Sequence, residues 1–596
     1  MNQDKKKQQF PEVFPHAKWT VILLINGEND LMKEVEEAYN QLARVGSCLG
    51  DVNFVVIFDG LTINEKLGVM HRSCSLEDQA YPNVYYVTKY RNLTTTAQPY
   101  RSYRDKDNLA KPGNLELIIR EAVHSFPADH FGFIYKGHGG AGRTDIVSDI
   151  FRVDKVRKFT DETDHQLLER LKERAGKKWE LDANSYLMLT KDNDVLLAIY
   201  KMIDKGDYRE LTYASMRNEL ENAGFKGEDK LSFLCLDCCW GQIMENAEIF
   251  SNTTKYLIGS ADEMPVMGIG YEEFADFLVK NRDIRPDELA NGIVAVFFKN
   301  NYDDYMSSPK WEHIGVSLTC VDLEQYQRVG PKVTELCNFL IQNIEPLYLV
   351  ISMARHVCLE YTNDLNPSDY GIYNIDLIWF LENLGYFNDE IGKICPSEKY
   401  RELSALITSV YQSLYGDFIS SHMSSNYDFD SSNYGQAHMG GNGIGLTFPK
   451  DPDQLRNSLY GRPNTTELKI PVWEQFLTAY ATTHAMVTAY DRNFILALHV
   501  YCLSHFYTED VSILQNVVLE YMRRLSVAPV PKWEKKSVSS ANEASTGAKS
   551  PADKKTALAA SRAQNVIDPS LISEFKKTGV KMNGNGGPAS TLRQRV

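Results

Sequence analysis

Residues 231–241 read LSFLCLDCCWG, and residues 131–140 read FGFIYKGHGG. Each stretch begins with an apolar run and then changes abruptly to polar and small residues. Continuous apolar runs of this length, without the alternation of a strand that has one face in water, indicate strands buried on both faces. The two stretches therefore predict two strands of a covered sheet, each with reactive side chains at its carboxyl end.

The rest of the first half repeats this pattern. Three more apolar runs have the same character: 21–25, 54–58 and 256–258. Two amphipathic helical patterns fall between the runs: 31–49 and 114–125. Strands that alternate with helices favour a mostly parallel α/β sheet. In such sheets ligands bind outside the carboxyl ends of the strands, which is where His138 and Cys239 fall.

Composition and charge narrow the class of protein. The 596 residues are 43% hydrophobic and carry a formal charge of -15, so the chain is largely globular and lacks the excess positive charge typical of nucleic-acid binders. The 10 cysteines are scattered, which argues against a disulfide scaffold. Cys235 and Cys238 form a C-x-x-C pair, but no second pair or nearby histidine completes a zinc site.

Changes in composition divide the chain into four predicted parts. Residues 1–17 are an N-terminal extension, and residues 18–300 form the α/β domain, with an insertion rich in basic residues at about 143–210. A mixed, mostly helical domain with some β structure follows at 301–530. Residues 531–596 contain twelve Lys and Arg but few bulky apolar side chains, which predicts a disordered basic tail.

The N-terminus has no apolar signal segment, and no apolar run is long enough to span a bilayer. We expect a protein that is cytoplasmic, or exported as a secreted effector by a route without a signal peptide.

Two residues are candidates for nucleophilic chemistry. Cys239 ends a predicted strand, and the helix predicted over 240–250 would place its N-terminus beside the thiol and lower the thiol pKa. His138 is followed by glycines, which allow a substrate backbone to approach closely. The residues alone also fit a buried structural cysteine and an incidental histidine in a glycine-rich turn.

The surrounding motifs favour the catalytic interpretation. Residues 237–245, DCCWGQIME, resemble the D-x-C signature with a later Glu that marks the clostripain-like cysteine peptidases. Residues 126–131, FPADHF, followed by Gly137-His138-Gly139, resemble the histidine segment of that family. Weaker similarities continue in the family's order over roughly residues 18–480. The resemblance implies a three-layer caspase/gingipain-type fold.

The resemblance also implies roles for individual residues. Cys239 and His138 would form a Cys–His dyad, with the backbone N–H groups of Gly139 and Cys239 as the oxyanion hole. Asp237 would line the pocket for an Arg or Lys side chain, although it could instead cap the following helix. Asp262 or Glu263 would add a second pocket charge, and Glu245 would have a structural role near the site.

The function implied is an Arg/Lys-preferring cysteine endopeptidase that acts on protein or peptide substrates. The alternatives are a catalytically silent binding or effector module and a peptide ligase that uses the same dyad. No cofactor is predicted: calcium stabilises some relatives, but the chain has no D-x-D-x-D-G loop. Self-cleavage is expected within the basic insertion, after one or more of Arg157, Lys158, Arg174, Lys177 and Lys178.

Overall fold

The computed structural model describes residues 10–27, 32–60, 82–93, 96–103, 109–140, 143–147, 210–265, 267–307, 317–361, 373–424, 441–461 and 466–490. All of them lie within one compact unit, Met1–Tyr490. The domain boundaries proposed above stay a prediction, and the basic tail lies outside the described residues.

The described residues contain fourteen strands. They are β1 (Ala17–Gly27), β2 (Val52–Gly60), β3 (Asn83–Tyr86), β4 (Arg101–Ser102), β5 (Ala128–Lys136), β6 (Gly139–Gly140), β7 (Arg143–Val147), β8 (Glu210–Thr212), β9 (Leu231–Asp237), β10 (Thr254–Gly259), β11 (Ser317–Asp322), β12 (Asn374–Asp376), β13 (Ile419–Ser424) and β14 (Gly445–Thr447).

Twelve α-helices accompany these strands in the same part of the chain. They are α1 (Met32–Val45), α2 (Asn114–Ser125), α3 (Tyr213–Asn222), α4 (Met244–Phe250), α5 (Tyr271–Lys280), α6 (Pro286–Ser307), α7 (Tyr326–Gln342), α8 (Ile344–His356), α9 (Leu377–Ile394), α10 (Glu398–Ser413), α11 (Pro452–Asn457) and α12 (Pro471–Tyr490).

Nine strands form the central sheet, in the order β13-β11-β10-β9-β5-β1-β2-β3-β4. The five middle strands, β10, β9, β5, β1 and β2, run parallel, and the strands outside them pair antiparallel. The middle strands hold the apolar runs of the sequence, whose side chains are almost all buried. The predicted mostly parallel sheet is therefore confirmed.

Helices cover both faces of this sheet. On one face, alternate residues of β1 and β2 share a core with α1, α5 and α6. On the other face, α2, α3 and α4 contact one another in chain order. Successive side chains of a strand point to opposite faces of the sheet. Because β1 pairs with β2 and β5 along its whole apolar run, the side chains of that run pack against the helices on both faces. The three-layer α/β fold expected from the sequence is thus confirmed.

The described residues between 317 and 490 are mostly helical but also contribute strands. β11 and β13 continue the central sheet, and β12 pairs with β14 in a small sheet of its own. Gly445 of β14 forms a bridge with Ile243, just before α4. This part of the chain therefore packs directly against the segment that follows the candidate cysteine.

Two successive helices in this part of the chain are separated by a single residue. The first, α7, ends at Gln342, and α8 begins at Ile344. Asn343 between them has a non-helical backbone, and its side-chain amide donates to the carbonyl of Phe339. Such local side-chain bonds compete with the helix backbone, which explains the break.

No single helix in the described ranges has the length and apolar composition to cross a membrane, although the helix pair Leu323–Gln342 and Ile344–His356, bent by 118°, meets those criteria jointly.

Candidate active site

His138 and Cys239 lie beyond the ends of two neighbouring strands. β5 and β9 are adjacent and parallel, and their last paired residues are Lys136 and Asp237. His138 and Cys239 each follow two residues later, so the sheet register brings the two segments side by side. The sequence predicted that both residues end strands, and the register adds that these strands are direct neighbours.

Gly139 permits this close approach. A Cβ atom built at Gly139 would lie 2.6 Å from the sulfur of Cys238 and 2.7 Å from the carbonyl oxygen of Cys239. Real Cβ atoms do not approach backbone this closely, so a side chain at residue 139 would push the two segments apart. The preceding turn is held by Tyr135, whose hydroxyl donates to the carbonyl of His138 at 2.9 Å.

The two neighbouring cysteines point in different directions. Cys238 is buried, with its sulfur 3.2 Å from the hydroxyl of Tyr213 on α3. Cys239 is partly exposed, and its sulfur accepts the backbone N–H of Met264 at 3.2 Å. Successive residues of extended chain face opposite sides, and only Cys239 faces the sheet surface that α1, α5 and α6 cover.

The thiol of Cys239 is held in its neutral form. Burial raises the pKa of Cys239 to about 12, and the negative charges of Glu263 and Asp262 raise it further. The N–H of Met264 and the charge of Lys136 act in the opposite direction but do not offset burial. The thiol therefore needs a base to take its proton before it can act as a nucleophile.

The helix expected beside Cys239 begins later than predicted. The sequence pattern placed it over 240–250, but α4 starts at Met244 and has only seven residues. The backbone between Cys239 and α4 forms hydrogen bonds with the segment after β10 instead of a helix. Trp240 has a φ of 53°, and its N–H donates to the carbonyl of Asp262 at 3.0 Å. Gln242 donates in the same way to Ser260. The predicted lowering of the thiol pKa by a helix N-terminus is therefore wrong.

Asp237 lies at the end of β9 and is fully buried. Its Oδ2 atom accepts the hydroxyl of Tyr271 at 2.5 Å and lies 3.4 Å from Nζ of Lys136, itself almost fully buried. Its Oδ1 atom is enclosed as well and has no hydrogen-bond partner among the described residues. The predicted role of Asp237 in a substrate pocket stays a prediction; its observed partners are internal.

Asp262 and Glu263 follow β10 and lie beside the cysteine segment. Asp262 is largely buried, and its Oδ1 atom accepts the backbone N–H of Glu263 at 2.8 Å. The backbone N–H of Asp262 donates to the hydroxyl of Ser260. The negative charges of both carboxylates contribute to the raised pKa of Cys239.

Glu245 lies in the first turn of α4 and is fully buried. Its Oε1 atom accepts the backbone N–H of Thr447 and the hydroxyl of Tyr460, each at 3.1 Å. Burial raises its pKa, and these two hydrogen bonds lower it by less. Glu245 thus ties the helix after the cysteine to β14 and to the chain beyond it.

Sequence reasoning gave no role to three residues that shape the site. Lys136 pairs with Asp237, Tyr271 binds the same carboxylate, and Met264 binds the cysteine sulfur. Lys136 had a usable signal, because it precedes His138 by the same two residues that separate Asp237 from Cys239. Tyr271 and Met264 had none, since both reach the site from separate segments.

Among the described residues, no group of three or more His, Cys, Asp or Glu side chains could hold a metal ion.

The predicted self-cleavage positions are not part of the site described above. All five expected self-cleavage positions lie outside the described residues: Arg157, Lys158, Arg174, Lys177 and Lys178. Only the flanks of their interval are described, where β7 pairs with β8.

Comparisons with known proteins agree with the motifs. The model of the clostripain family matches residues 191–431, a segment that includes Cys239 and begins after His138. No curated protein matches the chain.

Among solved structures, a secreted C11 cysteine protease from Bacteroides thetaiotaomicron is 13% identical, with a TM-score of 0.45 and coverage of 78% of this chain and 99% of that chain. An inactive zymogen C11 protease from Parabacteroides distasonis is 12% identical, with a TM-score of 0.43 and coverage of 73% and 93%.

The clostripain family model thus matches the part of the chain that carries Cys239, and in that part the chain is similar to the clostripain-like cysteine peptidases that the histidine and cysteine motifs resemble.

Proposed function

We propose that the chain is a cysteine endopeptidase that cleaves after Arg or Lys with a Cys239–His138 dyad. The observation that carries this proposal is the register of β5 and β9, which ends both strands at one edge and extends each by two residues to a candidate catalytic group. A structural cysteine and an incidental histidine would have no need of this shared placement.

Because the pKa of Cys239 is raised, His138 has to act as the base that accepts the thiol proton. At neutral pH the thiol keeps its proton, so the imidazole takes that proton as the sulfur attacks the substrate carbonyl carbon. The imidazolium then gives the proton to the departing amine, and a thioester remains on Cys239. In the second half, His138 accepts a proton from water, the hydroxide displaces the sulfur, and the thiol recovers its proton.

The negative charge that develops on the substrate carbonyl oxygen has to be stabilised by hydrogen-bond donors. The backbone N–H groups of Gly139 and Cys239 are our candidates, and each such donor contributes roughly 2.7–4 kcal/mol to transition-state stabilisation in comparable sites. The absence of a Cβ at residue 139 supports this role, because it keeps the His138 segment close to Cys239.

Basic specificity is supported by the carboxylates near the nucleophile. Glu263 and Asp262 both influence the sulfur of Cys239, so a substrate side chain bound beside the scissile bond meets negative potential. A positive side chain of Arg or Lys matches that potential, whereas an acidic side chain is repelled. Asp237 is the third predicted carboxylate of this pocket.

Self-processing is the last part of the proposal. The interval between His138 and Cys239 is flanked by a small sheet in which β6 pairs with β7 and β7 pairs with β8. A cut between β7 and β8 would leave both products joined by this sheet and by β5 with β9. The five basic residues named above are the proposed cleavage positions.

Labelling with an Arg-based acyloxymethyl ketone, which alkylates an active-site thiolate, tests the proposal. We expect one label per wild-type chain, located on Cys239 by mass spectrometry, and none in Cys239→Ala. Cys238→Ala is the matched control and keeps the label. Failure to label the folded wild-type chain, or a label on Cys238, would contradict the proposal.

A further inference from the structure

A small, mostly aromatic cluster reaches the proposed nucleophile from the side of the C-terminal part of the chain. Its buried members are Trp240, Ala261, Leu359 and Tyr361, and two partly exposed residues, Cys239 and Trp379, pack against them. Cys239 also borders the core under α1, α5 and α6, so it lies where the two apolar clusters meet. Separate segments of the chain thus converge on one side of the proposed nucleophile.

Trp240 has two unfavourable features that packing alone does not explain. Its φ of 53° lies in the left-handed region, which is strained for a bulky side chain and in folded proteins is concentrated at functional sites. Its indole N–H is buried and has no acceptor among the described residues, although buried indole groups usually have one. Both features indicate that this ring is held beside Cys239 for function.

Trp379 is the ring of this cluster that stays partly exposed. It lies in the first turn of α9, where its backbone N–H donates to Oδ1 of the N-cap residue Asp376 at 2.9 Å. The other carboxylate oxygen, Oδ2, accepts the hydroxyl of Tyr361 at 2.5 Å. One fully buried carboxylate therefore fixes the ring of Tyr361 and the backbone that carries Trp379.

A partly exposed indole in this position fits an apolar side chain of the substrate. When Cys239 attacks, the scissile carbonyl carbon bonds to its sulfur, and the next Cα atoms of the substrate are only about 3.8 Å apart along the chain. Consecutive side chains of an extended peptide point to opposite sides. A neighbour of the basic residue therefore points away from the pocket that holds the basic side chain.

We infer that Trp379, packed against Trp240 and Tyr361, forms an apolar subsite that selects a bulky apolar side chain next to the cleaved bond. The side chain belongs to the residue just before the basic one or to the residue just after the cut. This inference rests on the proposed peptidase function and refines it: one pocket takes the basic side chain, and the subsite at Trp379 takes an apolar neighbour.

Internally quenched peptides with a fixed Arg before the cut test this inference. Leu or Ser stands either at the position before the Arg or at the position after the cut, and the readout is the Leu-to-Ser ratio of kcat/KM at each position. We expect the wild-type chain to favour Leu by roughly tenfold at one of the two positions, because its side chain leaves water on binding. The two positions distinguish a subsite on the acyl side from one on the leaving-group side.

The Trp379 variants show whether this ring carries the preference. In Trp379→Ala we expect the ratio to fall to within about threefold of one, while kcat/KM for the Ser peptides changes by less than about threefold. Trp379→Phe keeps an aromatic ring and should keep the preference. If Trp379→Ala does not fold, Trp379→Gln gives the same comparison with a polar side chain.

Leu49→Ala is the matched control. It removes another exposed apolar side chain, 62% exposed, but Leu49 precedes β2 and so lies at the amino ends of the parallel strands, away from the candidate site. Both ratios should stay at their wild-type values in this variant.

Two results would overturn the inference: a wild-type chain without a preference for Leu at either position, or a folded Trp379→Ala that keeps the wild-type preference. Cleavage without any apolar preference removes this inference alone and leaves the Cys239–His138 dyad standing. A folded wild-type chain that cleaves none of the peptides would instead remove the proposed function, and this inference with it.

Discussion

Met264 donates its backbone N–H to the sulfur of Cys239 over 3.2 Å, although the two residues lie 25 positions apart. The donor comes from the segment after β10, the same segment that carries Asp262 and Glu263. The proposed nucleophile is thus held by the segment that also brings negative charge to it. One neutral donor does not outweigh burial and two carboxylates, and the thiol pKa stays high.

The first prediction concerns thiol reactivity in His138→Ala. With no base beside it, Cys239 ionises only near its raised pKa of about 12, so alkylation by iodoacetamide should accelerate about tenfold per pH unit between pH 6 and pH 10. Mass spectrometry of the Cys239 peptide measures the rate. The wild-type chain is the control and should react faster below pH 8. A plateau below pH 8 in His138→Ala would contradict the burial argument.

The second prediction concerns the dyad. Cys239→Ala and His138→Ala should each lower kcat/KM by at least about a thousandfold, because each removes a group that acts in the same step. Cys238→Ala should keep most activity, since the Cys238 sulfur contacts Tyr213 on the opposite face. Peptide hydrolysis measures all three variants. Loss of activity confined to Cys238→Ala would reverse the assignment of the nucleophile.

The third prediction concerns Gly139. In Gly139→Ala the new methyl group collides with the sulfur of Cys238 and the carbonyl of Cys239, so the two segments must separate. A shift of about 1 Å near a reacting group can cost on the order of a hundredfold in rate. Steady-state kinetics and circular dichroism should show that loss in a folded protein. Gly416→Ala is the control, because nothing lies within 4 Å of its added Cβ; equal activities would refute the steric argument.

The fourth prediction concerns pH and stability at Glu245. Burial raises its pKa in the folded state, so the folded protein holds this proton more tightly than the unfolded chain does. The resulting stabilisation is complete below the ordinary pKa of about 4.3 and is lost as pH rises through the folded-state value. Glu245→Gln cannot titrate.

Urea unfolding of the wild type and Glu245→Gln should therefore show the wild type losing free energy of unfolding relative to the variant between pH 4 and pH 7. Glu245→Ala is the comparison that also removes the acceptor for Thr447 and Tyr460, and it should be less stable by about 1–3 kcal/mol. A difference between wild type and Glu245→Gln that does not change with pH would argue against the raised pKa.

The fifth prediction concerns self-processing. Prolonged incubation of wild-type protein should produce new termini after at least one of the five basic positions, while Cys239→Ala stays one chain. The two products should elute together in size exclusion, since β5 pairs with β9 and β7 with β8 across the cut. An interval that stays intact while an added peptide is cleaved would exclude self-processing and leave the peptidase proposal standing.

The sequence predicted the parts of the site that depend on local pattern. The apolar runs located the strands, and the abrupt change after each run located His138 and Cys239. The start of α4 was predicted wrongly, because residues 240–242 bond to the backbone after β10 instead of starting a helix. These hydrogen bonds join segments that are distant in the sequence, so the residue pattern within 240–250 could not predict them. The partners of Asp237 could not be predicted for the same reason, because Lys136 lies on the neighbouring strand and Tyr271 lies on α5.

The bridge between Ile243 and Gly445 restricts where this chain can be shortened. A fragment that stops at residue 300 loses β11, and β10 then presents an unpaired edge to solvent. It also loses the N–H of Gly445 that binds the carbonyl of Gln242, and the N–H of Thr447 that binds Glu245. Both acceptors lie within six residues of Cys239. The smallest fragment that keeps the loop after Cys239 in its native shape therefore extends at least through β14. A recombinant fragment that ends at the predicted domain boundary of residue 300 would lack the strands that hold this loop in place.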